Sequence, residues 1–221
     1  MNEFARRVNA VLPQTQCTRC GFPDCASYAQ AIADGEATIN RCPPGGDEGI
    51  TRLAQLTGLP IQPLDPACGI EGPLTLAVID ENWCIGCTLC IKACPTDAIV
   101  GSNKLMHTVI ERYCTGCELC IPVCPVDCIS LEVVDETKSG WQAWTVGQAE
   151  QAQHRYERRR TRLARESLEH QQQMEDKART KLSDLAAHSL HKDPAVLDAK
   201  RRVIEAALER ARLKRSQPDK G

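Results

Sequence analysis

No run of apolar residues in this 221-residue chain approaches the about 18 that a membrane-spanning helix needs. Residues 1–12 are charged and helix-like, without the long apolar core of a secretory signal. Missing too are a G-x-G-x-x-G after a strand, a Walker loop and a flavin signature, so hydride chemistry must belong to another protein. Between residues 148 and 187 there is neither proline nor glycine. The basic run from Arg155 to Arg165 holds a single aromatic, Tyr156, and no base-reading motif, which argues for a solvated basic face and against nucleic acid as a partner. These absences predict a soluble, cytoplasmic protein with no small-molecule substrate site and no catalytic residue of its own.

Cysteine is what the chain has in excess, 14 in all. Most sit in metal-ligand spacing, which demands reduced thiols and hence a reducing compartment. CIGCTLCIKACP begins at Cys84 and CTGCELCIPVCP at Cys114, two copies of C-x2-C-x2-C-x3-C-P set 30 residues apart. Bacterial ferredoxins hold [4Fe-4S] clusters with this spacing, the fourth cysteine of each run serving the other cluster. That rule assigns Cys84, Cys87, Cys90 and Cys124 to one cluster, and Cys94, Cys114, Cys117 and Cys120 to another. Zinc modules also use paired C-x2-C, but they separate their knuckles more widely than seven residues holding three cysteines allow.

A third set precedes these: Cys17, Cys20, Cys25 and, after a gap, Cys42. Gly21 and Pro23 let the chain wrap closely, Asp24 is placed to cap a helix through about Asp34, and Gly35 ends it. By spacing alone this set suits either a [4Fe-4S] cluster or zinc. Cys68 has no ligand-spaced partner and reads as a spare thiol. Cys128 replaces Ala98 of the first repeat, and so reads as a small buried residue.

The pattern predicts an α+β fold in four parts. Residues 1–58 form a small helical iron–sulfur domain, with helices over 2–12, after Asp24, and over 50–56 capped by Asp47. Residues 59–73 are a Pro/Gly linker. Residues 74–140 form a two-cluster ferredoxin-like domain of two βαβ halves, with strands at 74–79, 98–100, 106–111 and 129–134. Trp83 and Tyr113, just before each first cysteine, read as core filling. Residues 147–221 form a charged helical tail, a hairpin or partly disordered, with Asp193-Pro194 opening its second helix. Residues 148–221 carry 18 Lys+Arg against 12 Asp+Glu, and the remainder 9 against 17. An acidic redox head and a basic tail suggest electrostatic docking of redox partners.

From LPQTQCTRCGFPDC through INRCPPGG, QPLDP, AVIDENWCIGCTLC, ACPTDAIVG and MHTVIERYCTGCELC to CPVDCISL, residues 9–135 resemble the B subunit of the Rnf (Rsx) ion-translocating electron transport complex. The resemblance implies a cluster on Cys17, Cys20, Cys25 and Cys42, hence three [4Fe-4S] clusters. It implies an electron-transfer subunit of an NADH/ferredoxin oxidoreductase, with other Rnf subunits or a flavin/NADH reductase as partners. A free-standing polyferredoxin serving another enzyme is the alternative. Members of that family begin with a membrane-spanning helix where this chain has a short amphipathic one, and the tail after residue 147 has no counterpart in the pattern. Peripheral association with the cytoplasmic face of the inner membrane is the expectation that follows.

Overall fold

The computed structural model describes residues 1–216 and divides the chain into two compact units, 1–160 and 161–221. In the first, helix α1 (Glu3–Ala10) is capped by Asn2, whose side chain accepts from Ala5 N at 2.7 Å. Helix α2 (Cys25–Ala33) starts at Asp24, which accepts from Ser27 N at 2.6 Å, as the sequence predicts. Helix α3 (Gly46–Thr57) differs at its start: Gly45 is the N-cap and no side chain caps it. Asp47 lies one residue inside, where its charge favours the helix dipole, and its N–H donates to Glu71. Gly58, left-handed at φ 74°, closes the helix. Val8, Leu12, Tyr28, Ala29, Ile32, Ile50 and Leu53 form the core these helices share.

The next strands are β1 (Thr75–Ile79), β2 (Ile99–Val100), β3 (Thr108–Val109) and β4 (Ile129–Val133), with the short helix α4 (Leu89–Ala93) between β1 and β2. Pairing runs across the two repeats and is antiparallel. β1 pairs with β4, Ile79 facing Ile129, and β2 pairs with β3, Ile99 facing Val109. The backbone repeats as the sequence does. Thr88 and Glu118 share a left-handed φ of 65° and 64°, Gly86 and Gly116 share 68° and 65°, and Asp97 and Asp127 share 50° and 49°.

One expected helix is missing. α4 has no counterpart in the second repeat, where residues 119–122 form turns. Lys92 N–H donates to Thr88 O at 3.2 Å in α4, and the matching residue is Pro122, which has no N–H to give. The second half is therefore strand–turn–strand.

Helix α5 (Gly140–Ala143) and the start of α6 (Val146–Ser183) complete this unit. Trp141, Trp144, Ala149 and Ala152 form a small core with Leu74. Trp144 Nε1 donates to Pro13 O at 2.8 Å, and Arg52 stacks 4.1 Å over the Trp141 ring. Unit 161–221 contains the rest of α6, a turn, and α7 (Pro194–Ser216). At that turn Leu185 and Ser189 are buried, and Lys200 Nζ donates to Ser189 Oγ at 2.8 Å. Among the described residues no helix is long and apolar enough to cross a membrane.

Candidate iron–sulfur sites

The loop carrying Cys17 and Cys20 is held by a buried chain of amides. Gln14 Nε2 donates to Asn9 O at 2.5 Å and to Asn9 Oδ1 at 3.0 Å. Gln16 Nε2 donates to Gln14 Oε1 at 2.9 Å, and Gln16 Oε1 accepts from Cys25 N at 2.9 Å. Asn9, Gln14 and Gln16 are each at most 3% exposed, so the low dielectric strengthens each bond. The network sustains left-handed backbone at Gln14, Gln16 and Thr18, which flanks Cys17 on both sides. The sequence reading missed these amides, although LPQTQC spells them out before the cysteine.

Cys17, Cys20, Cys25 and Cys42 are all buried, and none is in a disulfide. Burial pushes the Cys42 thiol well up, and negative charge on Cys25, Cys17 and Cys20 pushes it further. Burial likewise raises Cys25, with Cys17 and Cys20 adding to it against an opposing N–H bond with Gln16. Buried thiols such as Cys20, Cys25 and Cys42, which resist ionising, become thiolates together only around cationic metal, so the donor set fits an iron–sulfur group. Cys68 is buried as well, with its Sγ 3.8 Å from Asp65 Oδ2.

In the repeat region the structure brings Cys94 from the first run against three cysteines of the second. Burial lifts Cys120 to about 12, and Cys117, Cys114 and Cys94 add to the rise. Cys117 is lifted to about 12 by burial, with Leu119 N–H opposing and Cys94 and Cys114 adding. On the other side, burial raises Cys90, helped by Cys87 and Cys84 against Ile91 N–H. Cys124 reaches this group through Cys128, whose Sγ lies 3.5 Å from Cys124 Sγ. Burial and then Cys124 and Cys84 lift Cys128 to about 12, which keeps it a protonated thiol. Cys128 is therefore buried as expected, but it faces sulfur and not only core.

Tetrahedral zinc gathers its ligands at about 2.3 Å from one centre. Among the described residues no group of three or more His, Cys, Asp or Glu side chains converges to hold a single ion. Backbone donors point at the cysteines: Ala98 N to Cys94 Sγ at 3.2 Å, His107 N to Cys84 Sγ at 3.4 Å, and Ala77 N to Cys114 Sγ at 3.5 Å. Gly86 and Gly116 make the loops close enough for this. A Cβ on Gly86 would lie 2.5 Å from Leu105 N, and one on Gly116 2.5 Å from Thr75 O.

The start of α6 bears on both regions. Arg159, 8% exposed, donates from Nε to Cys94 O at 2.6 Å and from Nη2 to Lys92 O, with Asp97 3.7 Å away. Arg155 donates to Thr96 O at 2.7 Å and Asp97 O at 2.9 Å, and lies 3.4 Å over the Tyr113 ring. Tyr156 OH donates to Asp24 Oδ2 at 2.9 Å, and Arg160 pairs with Asp24 at 3.5 Å. The solvated basic face expected here is thus wrong for Arg155 and Arg159, whose forked donors answer backbone carbonyls. Spacing at i and i+4 on one helix face was the available signal. Trp83 does not fill a core either, being 68% exposed, whereas Tyr113 is partly buried beneath Arg155.

A family model of the 4Fe-4S dicluster domain matches residues 77–131, and one described as a putative Fe-S cluster matches residues 12–44. Proteins named as the B subunit of an ion-translocating oxidoreductase complex are similar over most of their length. The Azoarcus sp. BH72 protein is 62% identical over 135 residues, 61% of this chain and 74% of the relative. That of Alkalilimnicola ehrlichii is 56% identical over 153 residues, 68% and 81% of the two chains. An Escherichia coli relative is 54% identical over 136 residues, 61% and 71%.

Proposed function

Because this chain belongs to the family of ion-translocating oxidoreductase complex B subunits, an iron–sulfur electron-transfer family, we propose that it relays single electrons through three [4Fe-4S] clusters within such a complex. Cys17, Cys20, Cys25 and Cys42 would hold the first. Cys84, Cys87, Cys90 and Cys124 would hold the second, and Cys94, Cys114, Cys117 and Cys120 the third. The observation that carries this reading is the approach of Cys94 to Cys114, Cys117 and Cys120 across the repeats. A bound [4Fe-4S] cluster with four cysteine ligands supplies one-electron transfer and no open iron for a substrate.

The chain's residues do the rest. Burial keeps water from Cys17, Cys20, Cys25, Cys42, Cys90, Cys94 and Cys120, and the N–H groups of Ala77, Ala98 and His107 favour the more negative, reduced charge state. The organisation proposed is an iron–sulfur domain at 1–58, a linker at 59–73, a ferredoxin-like two-cluster domain at 74–140, and a charged extension from 147. Other members of the complex are the proposed partners, with a flavin- or NADH-dependent one supplying or taking the electrons. Docking would be peripheral, on the cytoplasmic membrane face. The names of the relatives weigh against a free-standing polyferredoxin.

Anaerobic purification followed by iron and acid-labile sulfide counting tests the reading, with an EPR spectrum of the reduced protein. About twelve irons per chain and coupled reduced-cubane signals are expected. About eight would return Cys17, Cys20, Cys25 and Cys42 to zinc or to no metal, and a colourless zinc protein would overturn the reading.

A further inference from the structure

Apart from the helix that only the first half forms, the two halves share their left-handed turns, and they differ at two side chains that lie against the Cys84/Cys87/Cys90/Cys124 set. Position 77 is alanine and its counterpart 107 is histidine; position 98 is alanine and its counterpart 128 is cysteine. The backbone N–H groups behave equally in both halves. Ala77 N reaches Cys114 at 3.5 Å and His107 N reaches Cys84 at 3.4 Å. Ala98 N reaches Cys94 at 3.2 Å, and the N–H of Cys128 does the same for Cys124. At positions 107 and 128 the side chains break the symmetry, and both fall on one sulfur set.

His107 Nδ1 lies 3.3 Å from Cys90 Sγ, and the residue is 1% exposed. A metal-bound thiolate has no proton to offer, so the ring nitrogen must be the donor. Its Nε2 is buried without a partner, so no competing bond orients the ring. The space for the ring is built in: Gly101, at φ 151°, has no side chain, and a Cβ there would run into His107 Cδ2. The second break is the Cys128 thiol, 3.5 Å from Cys124 Sγ, a donor for the same reason.

In the other set the hydroxyls near sulfur each have a competing backbone carbonyl. Thr96 Oγ1 is 3.8 Å from Cys94 Sγ, but its single proton goes to Tyr113 O at 2.8 Å. Thr115 also reaches Cys117, but its one proton is shared with Thr15 O, 2.9 Å away.

We infer that His107 and Cys128 are positioning residues that make the Cys84/Cys87/Cys90/Cys124 cluster the higher-potential member of the ferredoxin pair, so that an electron entering the pair comes to rest there. The inference rests on the cluster reading given above. A donor aimed at a ligand sulfur stabilises the added negative charge of reduction, and hydrogen bonding to sulfur is one of the main levers on cluster potential. One bond to a charged acceptor, about tenfold in the electron's distribution between the two clusters, corresponds to about 59 mV for a one-electron couple.

The test is EPR-monitored redox titration of the full chain, with iron counted on every sample. H107A and C128A each give the second half the alanine that the first half has. Each is expected to lower the higher midpoint by about tenfold in distribution and leave the lower one in place, and the double variant to draw the two midpoints together. H107N, whose amide nitrogen stands where Nδ1 stood, is expected to recover most of the H107A shift; a purely space-filling role would not give that rescue. Unchanged midpoints at full iron content, equal shifts of both clusters, or a widened gap overturn the inference. If H107A does not load iron, C128A and H107N decide by the same criteria. Wild-type protein lacking the two ferredoxin-type clusters is recognised by its iron count before any titration, and it removes the cluster reading along with this one.

Discussion

Arg159→Ala is the substitution whose cost the structure lets us work out most fully. The guanidinium is nearly enclosed and donates to Cys94 O at 2.6 Å and to Lys92 O, with Asp97 nearby. Cys94 is buried, so its carbonyl would be left without a partner away from water, at about 1–3 kcal/mol. Lys92 is exposed, and water can replace its lost donor. The packed side-chain stem adds about 1 kcal/mol, for a total of roughly 3 kcal/mol. That energy falls on the segment 92–98, so local opening is where it will be seen. Hydrogen-exchange mass spectrometry of the anaerobic protein should find residues 92–98 protected about a hundredfold less, with α2 nearly unaffected. Arg159→Lys keeps the charge but not the fork, and should recover less than half. Protection of 92–98 within about threefold of the parent would refute the argument and make Arg159 a bystander.

Cys42→Ser should lower the iron count from about twelve to about eight per chain and leave the coupled ferredoxin-type EPR signals intact. Gly116→Ala combines left-handed strain with a methyl 2.5 Å from Thr75 O, and should destabilise the protein by about 3 kcal/mol, read as a fall in the temperature of cluster bleaching. Tyr156→Phe removes a bond to a carboxylate and should cost about 1.5 kcal/mol. Burial, and then the Asp24 carboxylate, hold the Tyr156 hydroxyl up to about 12, whereas an unfolded tyrosine ionises near about 10. Its contribution is complete below that unfolded value and is lost as pH rises toward 12, so the variant should show a shallower alkaline decline in denaturation midpoint than the parent.

Cysteine spacing made the grouping of Cys94 with the second run legible, because the fourth residue of each motif is known to point away from its own loop. Asp24 was legible for a similarly local reason, since a cap depends only on the next three residues. Pro122 was legible and went unread: aligning the repeats sets it against Lys92, whose N–H closes α4. His107 could not be found by ligand spacing, because it lies 17 residues from Cys90 and meets it only when the loop after β2 folds back. Comparing the halves position by position would have found it, as the histidine that stands against Ala77. Arg155 and Arg159 were hidden by composition. A run of arginines looks the same whether its partners are water or carbonyls, and only the tertiary placement of Lys92, Cys94, Thr96 and Asp97 distinguishes them.

The crossed pairing of the strands bears on how the protein is made. β1 waits for β4, and Cys94 for Cys114, Cys117 and Cys120, so neither half can be completed on its own. A nascent chain leaving the ribosome in sequence order exposes the first run of thiols well before their counterparts exist, and the arginines that close the Cys94 loop follow later still. On the proposed ligand assignment, metal delivered early would meet an open, incomplete set. The loop that holds Cys94 is therefore closed only once the residues up to Arg159 have emerged, so the first turns of α6 finish last what the first repeat begins.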